Sequence, residues 1–329
     1  MSAHDVMPDI ELYQPVTVED AITLAERYGE NGWLLAGGQD TYGWLKDRAK
    51  RTSAMIDLNA IEELKGIREH SGGIEIGALT SLTEVENNAL VVEKFGLLAE
   101  AAAHVASPQI RNMGTLGGNL CQDTRCWYYR RGLSCYRAGG NTCYANTPEG
   151  MNREHCVFGA SRCVAVSPSD TAPALVALEA QMVIVGPDGQ KVVDAEDFFV
   201  GPNVDIRNMT ILEPGEVLTA VRIPGKWANS DFYFEKVADR NVWDFALVSV
   251  AAVMKLKGDS IVEARFACGG VACVPQRLTA VEQAVVGKPR NDETGQAAGA
   301  IASNGAVTLN YNHFKVPLIE NLVRRAVRG

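Results

Sequence analysis

Two apolar periods alternate along the first half of this chain. The stretch V-E-D-A-I-T-L-A-E-R-Y, Val18 to Tyr28, puts Val18, Ala21, Ile22, Ala25 and Tyr28 at helical spacing, with a capping signal from Thr17 and Asp20. Gly29 to Gly32 breaks that helix. A short strand, Trp33-Leu34-Leu35, then runs into A-G-G-Q-D-T at 36–41, and Ser53 to Asn59 reads as a second strand. Gly72 to Thr80 alternates apolar and polar residues like a half-buried strand. T-S-L-T-E-V-E-N-N begins a helix. Phe95 to Ala106 is strongly helical and stops before Ser107-Pro108, because proline pushes its predecessor out of the α region. A second glycine turn follows at Thr115 to Asn119.

Beyond an irregular cysteine-rich stretch, Asp170 to Ala180 reads as a helix capped by Asp170, with Pro173 in its first turn. Gln181 to Asp194 is a hairpin bent at Pro187-Asp188-Gly189. Leu218 to Pro224 is an alternating strand, and polar Gly225 to Asp231 marks a domain boundary. The last hundred residues change character. Phe232–Val237, Ala246–Leu256 and Ile261–Cys268 form a meander, with Gly258-Asp259 at one bend. Helices are expected at Thr279–Val286, Glu293–Ala302 and Pro317–Arg328, which makes this part an antiparallel sheet with helices on one face. No internal repeat or low-complexity tract occurs.

The totals narrow the classes. A chain of 329 residues, 47% hydrophobic and 22% charged, can bury the cores of two or three globular domains. A net charge of −9 argues against nucleic acid or an anionic membrane as the main partner. Phe245–Met254 is the longest apolar run, far short of the roughly 18 residues of a membrane span, and reads as a buried strand. M-S-A-H-D-V-M-P-D lacks a basic region followed by an apolar one, so no secretory signal is expected and a cytoplasmic location is.

Chemistry concentrates between Gly114 and Asp170. Six of the eight cysteines lie there, at 121, 126, 135, 143, 156 and 163. They are too few and too clustered for a disulfide scaffold, and a metal site is the expectation over disulfides or inert thiols. No C-x2-C pair occurs, so zinc-ribbon and ferredoxin patterns both fail. Wide spacing without a well-placed histidine still suits four thiolates around an iron–sulfur cube. Arg125, Arg130, Arg131, Arg137 and Arg153 could offset a cluster's charge or simply form a solvated basic loop. Spacing does not choose four ligands among six. Cys268 and Cys273 read as small buried hydrophobes. Both glycine turns can present backbone N–H groups to phosphate, although a single such turn is commonly no more than a turn. No G-x-G-x-x-G occurs, which disfavours a Rossmann nicotinamide site. His4, His70, His104, His155 and His313 are scattered and read as surface or structural, and no Ser-His-Asp or His-Glu-x-x-His arrangement is present.

A-G-G-Q-D at 36–40, I-G-A at 76–78, T-L-G-G-N at 115–119, S-P-S-D at 167–170 and G-G-V-A-C-V-P-Q-R at 269–277 carry a resemblance over nearly the whole chain. The sequence resembles the FAD-carrying medium subunit of the molybdenum hydroxylases, the family of xanthine dehydrogenase and carbon monoxide dehydrogenase. The cysteine-bearing insertion at about 121–164 is similar to a subgroup with an extra [4Fe–4S] cluster, typified by 4-hydroxybenzoyl-CoA reductase and periplasmic aldehyde oxidoreductase. That subgroup's pattern is Arg-Cys before aromatics, a Cys, a Cys after a glycine-containing stretch, and a Cys seven residues before the Asp. It falls on Cys126, Cys135, Cys143 and Cys163 and sets Cys121 and Cys156 aside.

The resemblance implies an α+β chain. Its FAD-binding domain would have two subdomains of the p-cresol methylhydroxylase/vanillyl-alcohol oxidase type, at 1–60 and 61–228. A C-terminal domain of the carbon monoxide dehydrogenase flavoprotein type would follow at 229–329. Leu34, Leu35, Ala36, Gly37, Gly38, Gln39, Asp40 and Thr41 would wrap the FAD pyrophosphate, with Thr115, Gly118 and Asn119 as the second contact. Asp170 would reach the ribityl or flavin edge, and Val105, Leu218 and Lys236 would also touch flavin. Gln39 stands where many members have Thr or Ser, and Thr41-Tyr42 replaces a more common apolar pair. The implied role is electron transfer. Substrate chemistry would occur on a large molybdenum-cofactor subunit, and electrons would pass through a small subunit with two [2Fe–2S] clusters to FAD here. The [4Fe–4S] cluster would serve an external partner such as ferredoxin or a quinone. Export with a signal-bearing partner would make the location periplasmic. A stand-alone flavoenzyme like the enolpyruvyl-UDP-sugar reductases and a zinc-holding scaffold subunit are the alternatives.

Overall fold

The first helix forms where the periodicity puts it. In the computed structural model, which describes Met7 and residues 9–329, strand β1 (Glu11–Tyr13) leads to helix α1 (Val18–Tyr28). The amino-terminal stretch with His4, on which the signal expectation rests, lies outside the described residues. Thr17 Oγ1 accepts the Asp20 N–H at 3.1 Å, and acidic Glu19 and Asp20 sit at the positive end of the helix. The face Val18, Ala21, Ile22 and Ala25 packs on Ile56, Leu58, Ile61 and Leu64. Strands β2 (Gly32–Leu35) and β3 (Ala54–Asp57), with helix α2 (Thr41–Lys46) between them, complete a parallel sheet ordered β1-β3-β2.

The second sheet is antiparallel. Strands β4 (Ile67–His70) and β5 (Gly73–Gly77) are followed by helices α3 (Leu82–Asn87), α4 (Ala89–Lys94), α5 (Gly96–Ala103), α6 (Pro108–Met113) and α7 (Leu116–Leu120). The cysteine loop contains one turn of helix, α8 (Trp127–Arg130). After it come α9 (Thr171–Ala177), β6 (Gln181–Gly186), β7 (Gly189–Asp194), α10 (Ala195–Phe198) and β8 (Val217–Ile223). The order is β4-β5-β8-β6-β7, so β8, last in sequence, inserts between the β4-β5 and β6-β7 hairpins and joins them.

Three local expectations change. Ser107-Pro108 ends one helix but also starts another, because proline suits a first helical turn and Ser107 Oγ accepts the Ile110 N–H at 3.4 Å. The second glycine stretch is one turn of helix, with Thr115 Oγ1 capping the Gly118 N–H at 3.0 Å. Asp170 does not cap α9. Ser169 Oγ does, accepting the Ala172 N–H at 3.1 Å, while the buried Asp170 charge turns to an ammonium instead.

The C-terminal sheet runs β12 (Gln276–Arg277), β11 (Ser260–Gly269), β10 (Val248–Lys257), β9 (Asp231–Val237), all antiparallel. Val248, Val250, Ala252 and Met254 face the helices α11 (Thr279–Val285), α12 (Asp292–Ala302) and α13 (Lys315–Arg328). Alternate residues Ala251 and Val253 enter the core built on α5 and α9. Both faces of β10 are therefore buried, which explains its continuous apolar run. Among the described residues no helix is long and apolar enough to cross a membrane.

One lysine of this domain is fully buried. Lys315 Nζ donates to Gly270 O at 2.6 Å and Glu154 O at 3.1 Å, and burial pulls its pKa down to about 7. Between that value and the unfolded 10.5 the unfolded chain binds more protons, so this lysine makes stability rise with pH. The contribution is at most about 1.4 kcal/mol per pH unit. Urea unfolding at several pH values should show Lys315→Met with a flatter profile above neutrality than wild type. Parallel profiles would contradict the assignment.

Candidate functional site

Three glycine stretches meet at the cleft. A Cβ at Gly37 would lie 2.1 Å from Met113 O, so the first turn rests backbone to backbone on the end of α6, where only glycine fits. Gly38 has φ of +71°, the left-handed region. Gly117 donates its N–H to Ala78 O at 2.8 Å, and a Cβ there would meet Ala78 Cβ at 2.8 Å. The motifs at 36–40, 76–78 and 115–119 thus form one floor, under an open cleft of about 1290 Å³.

Leu34, Ala36, Gly37, Gly38, Gln39, Asp40, Thr41, Val105, Thr115, Gly118, Asn119 and Asp170 all border this cleft. Three expected residues do not. Leu35 lies behind the turn, near Gly38, and Leu218 is buried in β8 opposite Ile184. Lys236 stands one ion pair back, with Nζ 2.6 Å from Asp170 Oδ2, and also donates to His104 O and Asp244 O. Burial raises the Asp170 pKa and Lys236 opposes that shift. Trp33, Trp44, Arg125, Trp243 and Phe245 also line the cleft and were not foreseen. Trp243 has φ of +54°, strained for a side-chain-bearing residue, and its N–H bonds Ala106 O at 2.6 Å.

Several expected contacts are already committed inside the protein. Asn119 Oδ1 accepts from Ser169 at 2.6 Å and Thr171 at 2.7 Å, which leaves its NH2 as the free end. Gln39 Nε2 donates to Gly37 O at 3.1 Å. The Asp40 carboxylate accepts from Trp44 Nε1 at 2.8 Å, Arg130 at 2.9 Å and Arg125. The turn offers a ligand its backbone N–H groups, then, and not that carboxylate.

The same arginines belong to the cysteine loop. Arg137 is buried against Asp123, Arg207 O and Met209, and Arg153 forms a bidentate pair with Asp239 at 2.7 Å. Four of the five arginines are therefore held by specific ion pairs, and only Arg131 stays exposed as the solvated basic loop reading had it. Cys126, Cys135, Cys143 and Cys163 border one small cavity. Cys121 is instead exposed on the larger cleft beside the glycine turns, and Cys156 is buried against Ala145 and Val164. All eight cysteines are free. Among the described residues no three His, Cys, Asp or Glu side chains lie close enough to hold a single metal ion.

Two neighbours of that cavity carried no recognisable sequence signal. His155, buried, has Nε2 3.3 Å from Cys126 Sγ; burial and then Lys315 lower its pKa to about 4. Cys273, expected as a plain buried hydrophobe, is buried but touches Cys163 and donates to Ala165 O at 2.9 Å. Burial pushes the Cys126 thiol up to about 12. Cys163 is pulled the other way, first by the Cys273 thiol and then by Arg137.

The family model "FAD binding domain in molybdopterin dehydrogenase" matches residues 8–226, and "CO dehydrogenase flavoprotein C-terminal domain" matches 233–329. The chain belongs to the FAD-binding medium subunits of the molybdenum hydroxylases. It is 29% identical to the carbon monoxide dehydrogenase medium chain of Hydrogenophaga pseudoflava, over 98% of both chains. It is 34% identical to the aldehyde oxidoreductase FAD-binding subunit PaoB of Escherichia coli (strain K12), over 82% of this chain and 84% of that one. A solved structure of the Hydrogenophaga pseudoflava carbon monoxide dehydrogenase superposes with a TM-score of 0.76 at 29% identity, covering 98% of this chain and 96% of that chain. This medium subunit is thus an FAD-binding oxidoreductase component.

The glycine floor gives a direct test. Gly37→Ala must push Met113 and Gly114 away, and a strain of about 1–3 kcal/mol corresponds to roughly five- to 150-fold weaker FAD binding. Fluorescence titration of the flavin-free subunit checks this. Wild-type affinity would show that the turns need not touch.

Proposed function

We propose that this chain is the FAD- and [4Fe–4S]-carrying electron-transfer subunit of a molybdenum hydroxylase or reductase of the three-subunit type. Its partners are a large molybdenum-cofactor subunit and a small subunit with two [2Fe–2S] clusters. When bound, the two groups supply the redox steps that connect those partners to an external acceptor or donor, such as ferredoxin or a quinone. The observation that carries the reading is the ring of Cys126, Cys135, Cys143 and Cys163 around one cavity. Four thiols bordering one space supply the ligand set that a [4Fe–4S] cluster takes.

The chain's own residues do the rest. Backbone N–H groups of the turn at 36–41 and of Thr115, the close backbone approach that Gly118 allows, and the Asn119 side-chain amide hold the FAD phosphates. Asp170, paired with Lys236, fixes the ribityl or flavin end. Arg125 and Arg130 hold the loop against Asp40 and so set the distance between the two groups. The division into 1–60, 61–228 and 229–329 follows the three sheets, and the location is cytoplasmic, or periplasmic by export with a signal-bearing partner.

Purified subunit should show flavin absorption with a broad iron–sulfur shoulder that bleaches on reduction. Cys126→Ser, Cys135→Ser, Cys143→Ser and Cys163→Ser should each lose cluster iron and keep FAD, while Cys121→Ser and Cys156→Ser keep both. A colourless, zinc-containing protein would sink the proposal, and iron retained in the first four variants would reassign the ligands.

A further inference from the structure

Few buried groups are left without a task by flavin and thiol binding, and His155 is the clearest. It is 4% exposed and stands on the wall of the cysteine cavity. Its main chain is held on both sides: the N–H donates to Asn152 O at 3.1 Å, and the carbonyl accepts from Asn312 Nδ2 at 3.0 Å. Asn312 is itself fully buried, and its Oδ1 accepts the Leu309 N–H at 2.6 Å. The ring is thus placed by the backbone. Its Nε2 lies 3.3 Å from Cys126 Sγ, and its Nδ1 is buried with no partner. A histidine kept for packing would be expected to satisfy both nitrogens, since an unmade buried hydrogen bond costs stability.

We propose that His155 is a positioning residue for the cluster, donating Nε2–H to Cys126 Sγ and raising the cluster's reduction potential. The inference rests on the cluster reading above. A ligating thiolate carries no proton and can only accept, so a hydrogen bond across this contact requires the hydrogen on Nε2. Reduction adds negative charge that spreads onto the ligand sulfurs. A donor aimed at one of them stabilises the reduced state more than the oxidised state, and burial strengthens the effect. The choice of sulfur matters for transfer. Cys126 alone among the four also borders a second cavity, whose other walls include Asp170 and Phe245 of the flavin cleft. His155 therefore acts on the ligand that faces the flavin.

The test is an EPR-monitored redox titration of the cluster in the FAD-loaded subunit, with iron and FAD measured per chain. His155→Phe is expected to keep both groups and shift the midpoint to more negative potential. His155→Gln, which retains a donor, is expected to recover part of that shift. A wild-type midpoint in His155→Phe, or equal shifts in both variants, overturns the assignment. Should His155→Phe lose its iron, pulsed EPR of reduced wild-type protein containing isotopically labelled histidine decides the matter. A histidine nitrogen coupling supports the bond and its absence refutes it. Wild-type protein that holds FAD but gives no cluster signal overturns this inference together with the cluster reading, whereas a cluster whose midpoint ignores residue 155 overturns this inference alone.

Discussion

The carboxylate of Asp40 joins the two candidate cofactor regions. It ends the first glycine turn and accepts from two arginines and an indole, all from side chains that have other work. Arg130 also lies over the Trp44 ring, 4.0 Å from its centroid, and Arg125 lies 4.7 Å from the centroid of Phe245 in the C-terminal domain. One anion thus holds two cations that would otherwise repel each other beside a cleft. Breaking such a partly buried group leaves uncompensated charge, worth several times an exposed surface pair. The glycine turn and the cysteine loop consequently fold as one unit, although 85 residues separate Asp40 from Arg125.

That unit is closed from below by the C-terminal sheet. Strand β10 shares its two faces between two cores, one with the FAD-binding portion and one with its own helices. The cysteine loop is tied to this domain by main-chain bonds as well. Val157 and Phe158 N–H groups both donate to Val271 O, and Asn312 holds the carbonyls of His155 and Cys156. Positioning of the thiols is therefore a property of the whole chain and not of a self-contained loop.

What the sequence made legible follows from range. Helix α1 and the hairpin at 181–194 depend on local spacing and turn residues, and they form where expected. The C-terminal meander was readable for the same reason. Contacts decided at long range were not. Asp170 has every local mark of an N-cap, yet a lysine 66 residues away takes its charge. Arg125, Arg130 and Arg153 look solvated until carboxylates 85 to 90 residues distant are brought to them. His155 gave no signal because its meaning lies in a sulfur 29 residues earlier. The family resemblance supplied the cleft residues that pattern could not, but Leu35, Leu218 and Lys236 border it only indirectly, since resemblance carries identity without orientation.

The site of the insertion has a physical logic of its own. Asn119, just before it, is hydrogen-bonded to Ser169 and Thr171, just after it. The loop thus leaves and returns to the same point, and its ends are fixed by bonds that belong to the cleft. Lengthening a loop whose ends are already joined costs only about 0.6 kcal/mol per doubling, so the cleft need not pay for what the loop contains. The converse is more demanding. A loop of this length with little regular structure has no large core of its own, only small clusters around Cys135, Cys156 and Cys163, and is ordered by its ion pairs, by Val157 and Phe158 packed into the C-terminal core, and by whatever its thiols bind. A cluster held by four cysteines would cross-link the loop at four points. Redox function and loop order would then have the same cause, with the flavin cleft as the fixed frame against which both are set.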